Sequence, residues 1–260
     1  MDYVFHILVL IGIYSVLASS LDLVAGRTGL LSITHAAFYG IGAYTSALLA
    51  VHWGWPFLLT VPAAMGVAAG VSLTVSIPSL RLHGDYFVIA TFGFQMILFS
   101  IFNNWMELTR GPLGIPGIPQ PVILGWDVNS NLEFVVLAAG FAALAFLVIA
   151  LIASSPFGRV LHAIREDEII AKAYGKDVLR FKITAFAVSS ALAAMAGALY
   201  AHYITYIDPT SFTVMESILI LSMVIIGGGG IDVGSARWRD RTGFLAGSVA
   251  LCRPAHRCRG

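Results

Sequence analysis

The residues whose types and spacing suit polar chemistry lie together in one segment, residues 154–182. This segment, SSPFGRVLHAIREDEIIAKAYGKDVLRFK, carries six of the fifteen Lys and Arg residues and four of the fourteen acids, and apolar sequence flanks it on both sides. Glu168 precedes Lys172 by four residues, which is the favourable order for an ion pair on a helix. The pattern predicts ion pairing and hydrogen bonding with a surface or a partner, and no covalent chemistry.

A short amphipathic helix is the element that must position these charges. Ser155 and Pro156 have the form of an N-cap and a first helical residue, because proline lacks an N–H that would be unpaired there. Gly175 is a natural residue to end the helix. One face would carry the apolar residues Phe157, Leu161, Ile164, Ala171 and Tyr174. The pattern predicts one helix of roughly 18 residues, held parallel to a membrane surface or pressed against a partner.

The rest of the chain is too apolar for a soluble protein. Of its 260 residues, 58% are hydrophobic and only 11% are charged, and the mean hydropathy is +0.86. A soluble core cannot hide that much apolar surface, so the composition predicts an integral membrane protein. The net charge of +1 and the local placement of the positive residues argue against a nucleic-acid partner.

Seven apolar runs predict an all-α polytopic membrane protein with about seven membrane segments and one amphipathic cytoplasmic helix. The runs cover residues 4–24, 30–51, 57–80, 86–102, 132–153, 183–204 and 214–226. Residues 103–131 contain RGPLGIPGIPQP and are predicted to lie outside the bilayer. Residues 1–230 would then form a transmembrane domain, with 154–182 as a loop between two spans. Gly66 and Gly70 have the GxxxG spacing, which allows close helix packing but is common by chance.

The positive residues predict the orientation of the chain in the membrane. With the charged loop in the cytoplasm and each run counted as one crossing, eight of the nine Lys and Arg residues before position 230 fall on the cytoplasmic side. Arg110 is the exception. The N-terminus would lie outside, although a second run that re-enters the membrane would invert everything before it.

Two polar residues in or beside the apolar runs are candidates for a transport path. His35 lies in the second run, and polar groups inside spans tend to face a cavity. A hydrogen bond within the helix bundle is the alternative for His35. Asp85 could contribute to a gate near the cytoplasmic face, or it could simply cap the helix that follows it.

The sequence changes character from Ile231 onwards. Residues 231–260 contain six Arg and both cysteines, after a chain in which arginine is rare, and no further span can be drawn there. The abrupt change indicates a shifted reading frame or a damaged gene that leaves the chain truncated, with a genuine short tail as the alternative. Cys252, His256 and Cys258 fit no standard metal site, so no metal is predicted.

Five ordered segments resemble the LivM-type permease subunits of bacterial ABC importers for branched-chain amino acids. The resemblance covers about residues 5–230, and five segments in order are more specific than any one of them. The matching segments are AGRTGLLSITHAAFYGIGAYTSALL (25–49), RLHGDYFVIATFGF (81–94), TRGPLGIPGIP (109–119), SPFGRVLHAIREDEIIAKAYGKDVLRFKITAF (155–186) and AGALYAHYITYIDPTSF (196–212).

This resemblance implies a helical permease in the bacterial inner membrane. It implies a LivH-type permease, two ABC ATPase subunits and a periplasmic substrate-binding protein as partners, with membrane lipid around the spans. The chain contains no G-x-x-x-x-G-K-[ST] motif, so ATP hydrolysis is expected on the partners and no cofactor is predicted here. The resemblance also identifies the charged loop as the ATPase-coupling region, with matching positions at Arg165, Glu166, Asp167, Glu168, Ala171 and Gly175.

Three other functions compete with this interpretation. A permease for urea or short amides is the rival within the family, since its members resemble each other more than their substrates do. A stand-alone secondary transporter would need paired carboxylates and basic residues inside the spans, which contain almost none. A membrane enzyme would need His or carboxylate residues clustered at one depth, and the scattered histidines do not supply this.

Overall fold

A computed structural model describes residues 2–227 except 83, 124–125 and 128–129, and there the chain is mainly α-helical. The prediction of an all-α membrane protein is therefore confirmed. The arginine-rich tail, residues 231–260, lies outside the described residues, and so do Cys252, His256 and Cys258.

The described helices follow one another with short connections. They are α1 (Asp2–Thr28), α2 (His35–Trp53), α3 (Phe57–Ser79), α4 (Asp85–Asn104), α5 (Met106–Thr109), α6 (Asn131–Ser154), α7 (Pro156–Glu166), α8 (Glu168–Ala173), α9 (Val178–Ile204) and α10 (Val214–Ile226). Four two-residue strands form two antiparallel pairs, β1 (Ile115–Pro116) with β4 (Tyr206–Ile207) and β2 (Val122–Ile123) with β3 (Trp126–Asp127).

Five of the described helices, namely α1, α3, α4, α6 and α9, are long and apolar enough to cross a membrane. The predicted number of seven segments is not confirmed. The helix in the second run begins at His35 rather than at residue 30. Gly29 has a positive φ of 74°, and residues 30–34 are not helical. The described part of α10 has 13 residues, too few for about 30 Å of hydrocarbon. Between the end of α4 at Asn104 and the start of α6 at Asn131, no spanning helix lies in the described residues, as predicted for this connection.

The helices place their connections at two opposite ends of the bundle. At one end, the Arg165 guanidinium of α7 donates a hydrogen bond to the Gly26 carbonyl near the end of α1. At the other end, Ile115 pairs with Ile207, and His202 Nδ1 lies 2.8 Å from the Pro119 carbonyl oxygen. We call these the α7–α8 end and the strand end. The whole segment 154–182 therefore lies at one end of the bundle.

The centre of the bundle is α9, which packs against α1, α2 and α3. More than half of its buried residues are alanine, glycine or serine, so neighbouring helices approach closely. A Cβ added at Gly197 would collide with the Tyr39 carbonyl oxygen of α2, and one added at Gly42 would collide with the Ala194 carbonyl oxygen of α9. The tight contact is thus between α2 and α9. Gly66 and Gly70, the predicted GxxxG pair, face open space within this chain, since an added Cβ meets nothing within 4 Å.

The α2–α9 contact predicts that Gly197→Ala destabilises the chain strongly. The new methyl group meets backbone rather than a movable side chain, so we expect a loss of about 3 kcal/mol or more. Gly70→Ala is the matched control and should leave stability unchanged or slightly improved, because alanine favours helix. Thermal unfolding of the purified chain in detergent measures both variants. Equal melting temperatures for the two would contradict the packing described here.

Candidate functional site

The charged segment begins as the sequence predicts. The Ser155 hydroxyl oxygen accepts a hydrogen bond from the Gly158 N–H at 3.3 Å, and Pro156 is the first residue of α7. Phe157 stacks on Phe181 of α9 with ring centroids 5.2 Å apart. The start of α7 is therefore fixed both by its cap and by contact with a long helix.

The segment contains two helices, and the prediction of one continuous helix is wrong. Asp167 separates α7 from α8 with an extended backbone, φ −154° and ψ 109°. Its carboxylate accepts hydrogen bonds from the N–H groups of Ile169 and Ile170, at 2.8 and 3.0 Å. A short acidic side chain can cap a new helix in this way, and that competes with continuation of the old one. The break changes the direction of the chain between Arg165 and Glu168.

The end of α8 agrees with the prediction for Gly175. This residue has a φ of +73°, and its N–H donates to the Lys172 carbonyl at 2.9 Å. Residues with a Cβ rarely adopt this left-handed conformation, which explains glycine at the position. An added Cβ would meet nothing within 4 Å, so the constraint is the backbone conformation and not lack of space.

One side of the segment is held against the bundle by polar contacts. Glu168 forms ion pairs with Lys172, at 3.0 Å, and with Lys182 near the start of α9, at 2.7 Å. The Lys172 pair is the one that the sequence predicts. The Arg165 guanidinium reaches the Gly26 carbonyl of α1, and Ala171 is buried beside other apolar residues of the segment. We call this side the inner face.

The electrostatics of the inner face keep Glu168 ionised. Burial raises the pKa of the Glu168 carboxyl, but hydrogen bonds and charge from Lys182 and Lys172 outweigh it, so the pKa lies below its usual 4.5. A depressed pKa means that the contribution of these contacts to stability is fully present above 4.5. It is lost only as pH falls through the lower folded value. At neutral pH the contacts are therefore intact.

The opposite side of the segment exposes apolar residues, and we call it the outer face. Ile169 is 79% exposed, Tyr174 is 81% exposed, and Ile170 is more than half exposed. Beside them Glu166 is exposed, with its carboxylate 3.6 Å from His162 Nδ1. A groove of about 480 Å³ runs along this side and is lined by residues that include Val160, Ala163, Glu166, Asp167, Ile170 and Tyr174. Apolar residues set among charges suit contact with another macromolecule.

Asp85 lies next to the same segment, which its sequence position does not reveal. It is an exposed residue of the first turn of α4. It lines a cleft of about 380 Å³ together with Arg165, Glu168 and Lys182. The cleft thus separates the start of α4 from the inner face. A role for Asp85 in a gate stays a prediction.

His35 does not line this cleft and lies inside the bundle, at the first residue of α2. It is 3% exposed, and its Nε2 lies 2.7 Å from the Ser20 hydroxyl oxygen of α1. The Ala36 N–H donates a hydrogen bond to the Ser217 hydroxyl at 3.0 Å, and the Ala37 N–H donates one to the Gln95 amide oxygen at 2.9 Å. We call Ser20, His35, Gln95 and Ser217 the α2 cluster. The cluster supplies hydrogen-bond partners to N–H groups in the first turn of α2, which have none within the helix. The His35 side chain has the hydrogen bond within the bundle that the alternative interpretation expects.

Sequence reasoning missed several polar residues that the structure brings together. Lys182 stands just before an apolar run, and its position in the sequence indicates only that it belongs to the loop. Glu216 stands within the apolar start of α10, where its carboxylate accepts a hydrogen bond from the Tyr14 hydroxyl of α1. A carboxylate in an apolar run was the available signal for Glu216. Among the described residues, no group of three or more His, Cys, Asp or Glu side chains could hold a metal ion.

These features define a multi-pass helical membrane protein with a polar helical segment at one end. Comparison with known proteins gives its family: residues 3–249 match the model described as branched-chain amino acid transport system / permease component. The chain belongs to this family of transport components.

Two relatives are the high-affinity branched-chain amino acid transport system permease proteins LivM of Salmonella typhimurium and Escherichia coli. Each is 37% identical over 241 residues, covering 84% of this chain and 57% of the relative. The autoinducer 2 import system permease protein LsrC of Salmonella paratyphi B is 24% identical over 176 residues, covering 66% of this chain and 49% of the relative. The chain thus spans about half the length of these relatives. No solved structure matches it significantly.

The left-handed conformation of Gly175 predicts a difference between two substitutions. Gly175→Val should loosen the end of α8, since a left-handed residue with a Cβ costs about 1–2 kcal/mol. Gly175→Asn is the matched control, because asparagine tolerates this conformation better. Hydrogen exchange of the α8 amides measures the effect, and the valine variant should exchange about tenfold faster. Equal exchange in both variants would contradict the assignment.

Proposed function

We propose that the chain is a membrane permease subunit of an ATP-binding-cassette importer and forms part of the translocation path for branched-chain amino acids. In this proposal residues 1–230 are the permease domain, 154–182 is its cytoplasmic coupling loop, and the membrane is the bacterial inner membrane. A LivH-type permease, two ABC ATPase subunits and a periplasmic substrate-binding protein are the partners. Membership of the permease family supports the proposal.

The proposal of an ATPase partner rests on the apolar residues exposed on the outer face of α7 and α8. Ile169, Ile170 and Tyr174 are exposed at a charged end of the bundle, where water rather than lipid would otherwise meet them. The bias of Lys and Arg residues supports a cytoplasmic location for this end. An apolar groove bordered by Glu166 and Asp167 offers both contact area and charge to an ATPase surface.

Hydrolysis of ATP is assigned to the partners rather than to this chain. The 260 residues contain no G-x-x-x-x-G-K-[ST] sequence, which is the loop that holds ATP phosphates in such ATPases. The chain would instead convert movement of its partners into movement of its helices.

The substrate is proposed from the relatives' names. Two relatives named for branched-chain amino acids are 37% identical, against 24% for one named for autoinducer 2. This difference favours leucine, isoleucine or valine. Urea or a short amide remains the alternative substrate, and uptake by the assembled importer distinguishes them.

The outer face predicts that Ile170→Asp weakens binding of the ATPases. A charge in the apolar groove removes a buried contact, so retention of the ATPase subunits should fall about tenfold or more. The measurement is affinity purification of the tagged chain, expressed with its neighbouring permease and ATPase genes. Leu113→Asp is the matched control, because Leu113 is 75% exposed but lies at the strand end. Full retention by the Ile170 variant, or equal loss in both, would contradict the docking surface.

The assembled importer also tests the substrate. Vesicles that contain the complex and the binding protein should take up leucine only when ATP is supplied, and excess valine should compete. If urea competes with leucine uptake and valine does not, the branched-chain amino acid assignment is wrong and the alternative, urea or a short amide, takes its place. Uptake driven by an ion gradient without ATP would overturn the proposed function.

A further inference from the structure

Two polar contacts connect the inner face to the long helices of the bundle. The Glu168 carboxylate binds the Lys182 ammonium group of α9 at 2.7 Å, and the Arg165 guanidinium binds the Gly26 carbonyl of α1. Neither contact is local in the sequence, since 14 and 139 residues separate the partners. The first contact joins α8 to α9, the next helix along the chain, and the second joins α7 to the distant helix α1.

The Glu168–Lys182 pair differs from an ordinary surface ion pair. The Lys182 side chain is only 10% exposed and that of Glu168 is 31% exposed. Nearby, Arg180 and Asp177 form a pair of the same 2.7 Å length, but their side chains are 85% and 51% exposed. Exposed pairs contribute little, whereas removal of one partner from a buried pair leaves an uncompensated charge. The Arg180–Asp177 pair is thus an exposed comparison for the partly buried Glu168–Lys182 pair.

The helices that receive these contacts meet at the α2 cluster. Gly26 is in the last turns of α1, and the same helix carries Ser20, which lies beside His35. The Ser189 hydroxyl of α9 donates a hydrogen bond to the Ser20 carbonyl, so α1 and α9 are also joined to each other. Displacement of the inner face would therefore move α1 and α9 together at the start of α2.

Apolar packing also joins α7, α8 and the start of α9 to one another. Ile164 of α7, Ala171 of α8 and Val178 of α9 form a small buried cluster of their own, separate from the main core. The cluster links both short helices to the start of α9. Both this packing and the Glu168–Lys182 ion pair therefore connect α8 to α9.

We propose that Glu168, Lys182 and Arg165 are positioning residues that transmit movement of the segment to α9 and α1, and that they do so without binding the ATPase. This inference rests on the proposed function. It divides the predicted coupling residues by role, because Glu168 and Arg165 act on the inner face while Glu166 and Asp167 border the groove of the outer face.

The test is Glu168→Gln in the assembled importer, with ATPase retention and ATP-driven leucine uptake measured on the same preparation. The variant should retain the ATPases within about twofold of the unchanged chain, while uptake falls roughly tenfold or more. Arg180→Gln, which breaks the exposed pair, should change neither quantity. Lys182→Arg keeps the charge pair and should keep uptake.

A charge exchange tests the ion pair itself rather than either residue alone. Glu168→Lys combined with Lys182→Glu restores opposite charges across this pair, and Lys172→Glu in the same chain keeps the second partner of residue 168 opposite in charge. The triple variant should therefore recover much of the uptake that Glu168→Lys alone loses. Recovery supports the inference even if the single variants are poorly folded. No recovery, with the exchanged chain assembled normally, would overturn it.

The remaining outcomes separate the two proposals. Normal uptake by Glu168→Gln overturns the inference and leaves the proposed function standing. Parallel loss of ATPase retention and uptake also overturns it, since Glu168 would then belong to the docking surface. Failure of the unchanged chain to retain any ATPase overturns the proposed function, and the inference falls with it.

Discussion

The close contact between α2 and α9 is the constraint on which the rest of the structure depends. Gly42 and Gly197 let the two backbones approach so closely that no side chain could stand between them. In a bilayer, where apolar surface gains little by leaving lipid, such close packing is a main source of helix association. It makes α9 a fixed axis of the bundle, and the first turns of that axis carry Lys182, the partner of Glu168.

The start of α2 shows how the chain interrupts its helices inside an apolar bundle. Backbone groups in such surroundings must find partners, since no water is available to them. Ser217 and Gln95 supply these partners to the first N–H groups of α2, and Ser20 lies beside His35. The same cluster draws α1, α4 and α10 together. The proposed path of movement from the inner face thus ends where four helices meet.

Local features of the sequence predicted local structure well. The cap at Ser155, the stop at Gly175 and the Glu168–Lys172 pair are all formed by neighbouring residues, so their chemistry is visible in the sequence. Contacts that depend on tertiary packing were not visible: nothing near Lys182 indicates that it would bind Glu168. The sequence does not reveal the break at Asp167, because the apolar spacing continues through it. The break forms because the Asp167 carboxylate caps the start of α8. Family membership, by contrast, rests on whole segments and was predicted from the sequence.

The central claim is that the outer face of α7 and α8 binds an ATPase while the inner face holds the bundle. Accessibility of Ile170 tests it most directly. In a chain with Cys252 and Cys258 replaced by serine, Ile170→Cys would be treated with a membrane-impermeant maleimide, with and without the ATPase subunits. We predict rapid labelling of the chain without its ATPases and strong protection in the assembled complex. Equal labelling in the two states would contradict the account.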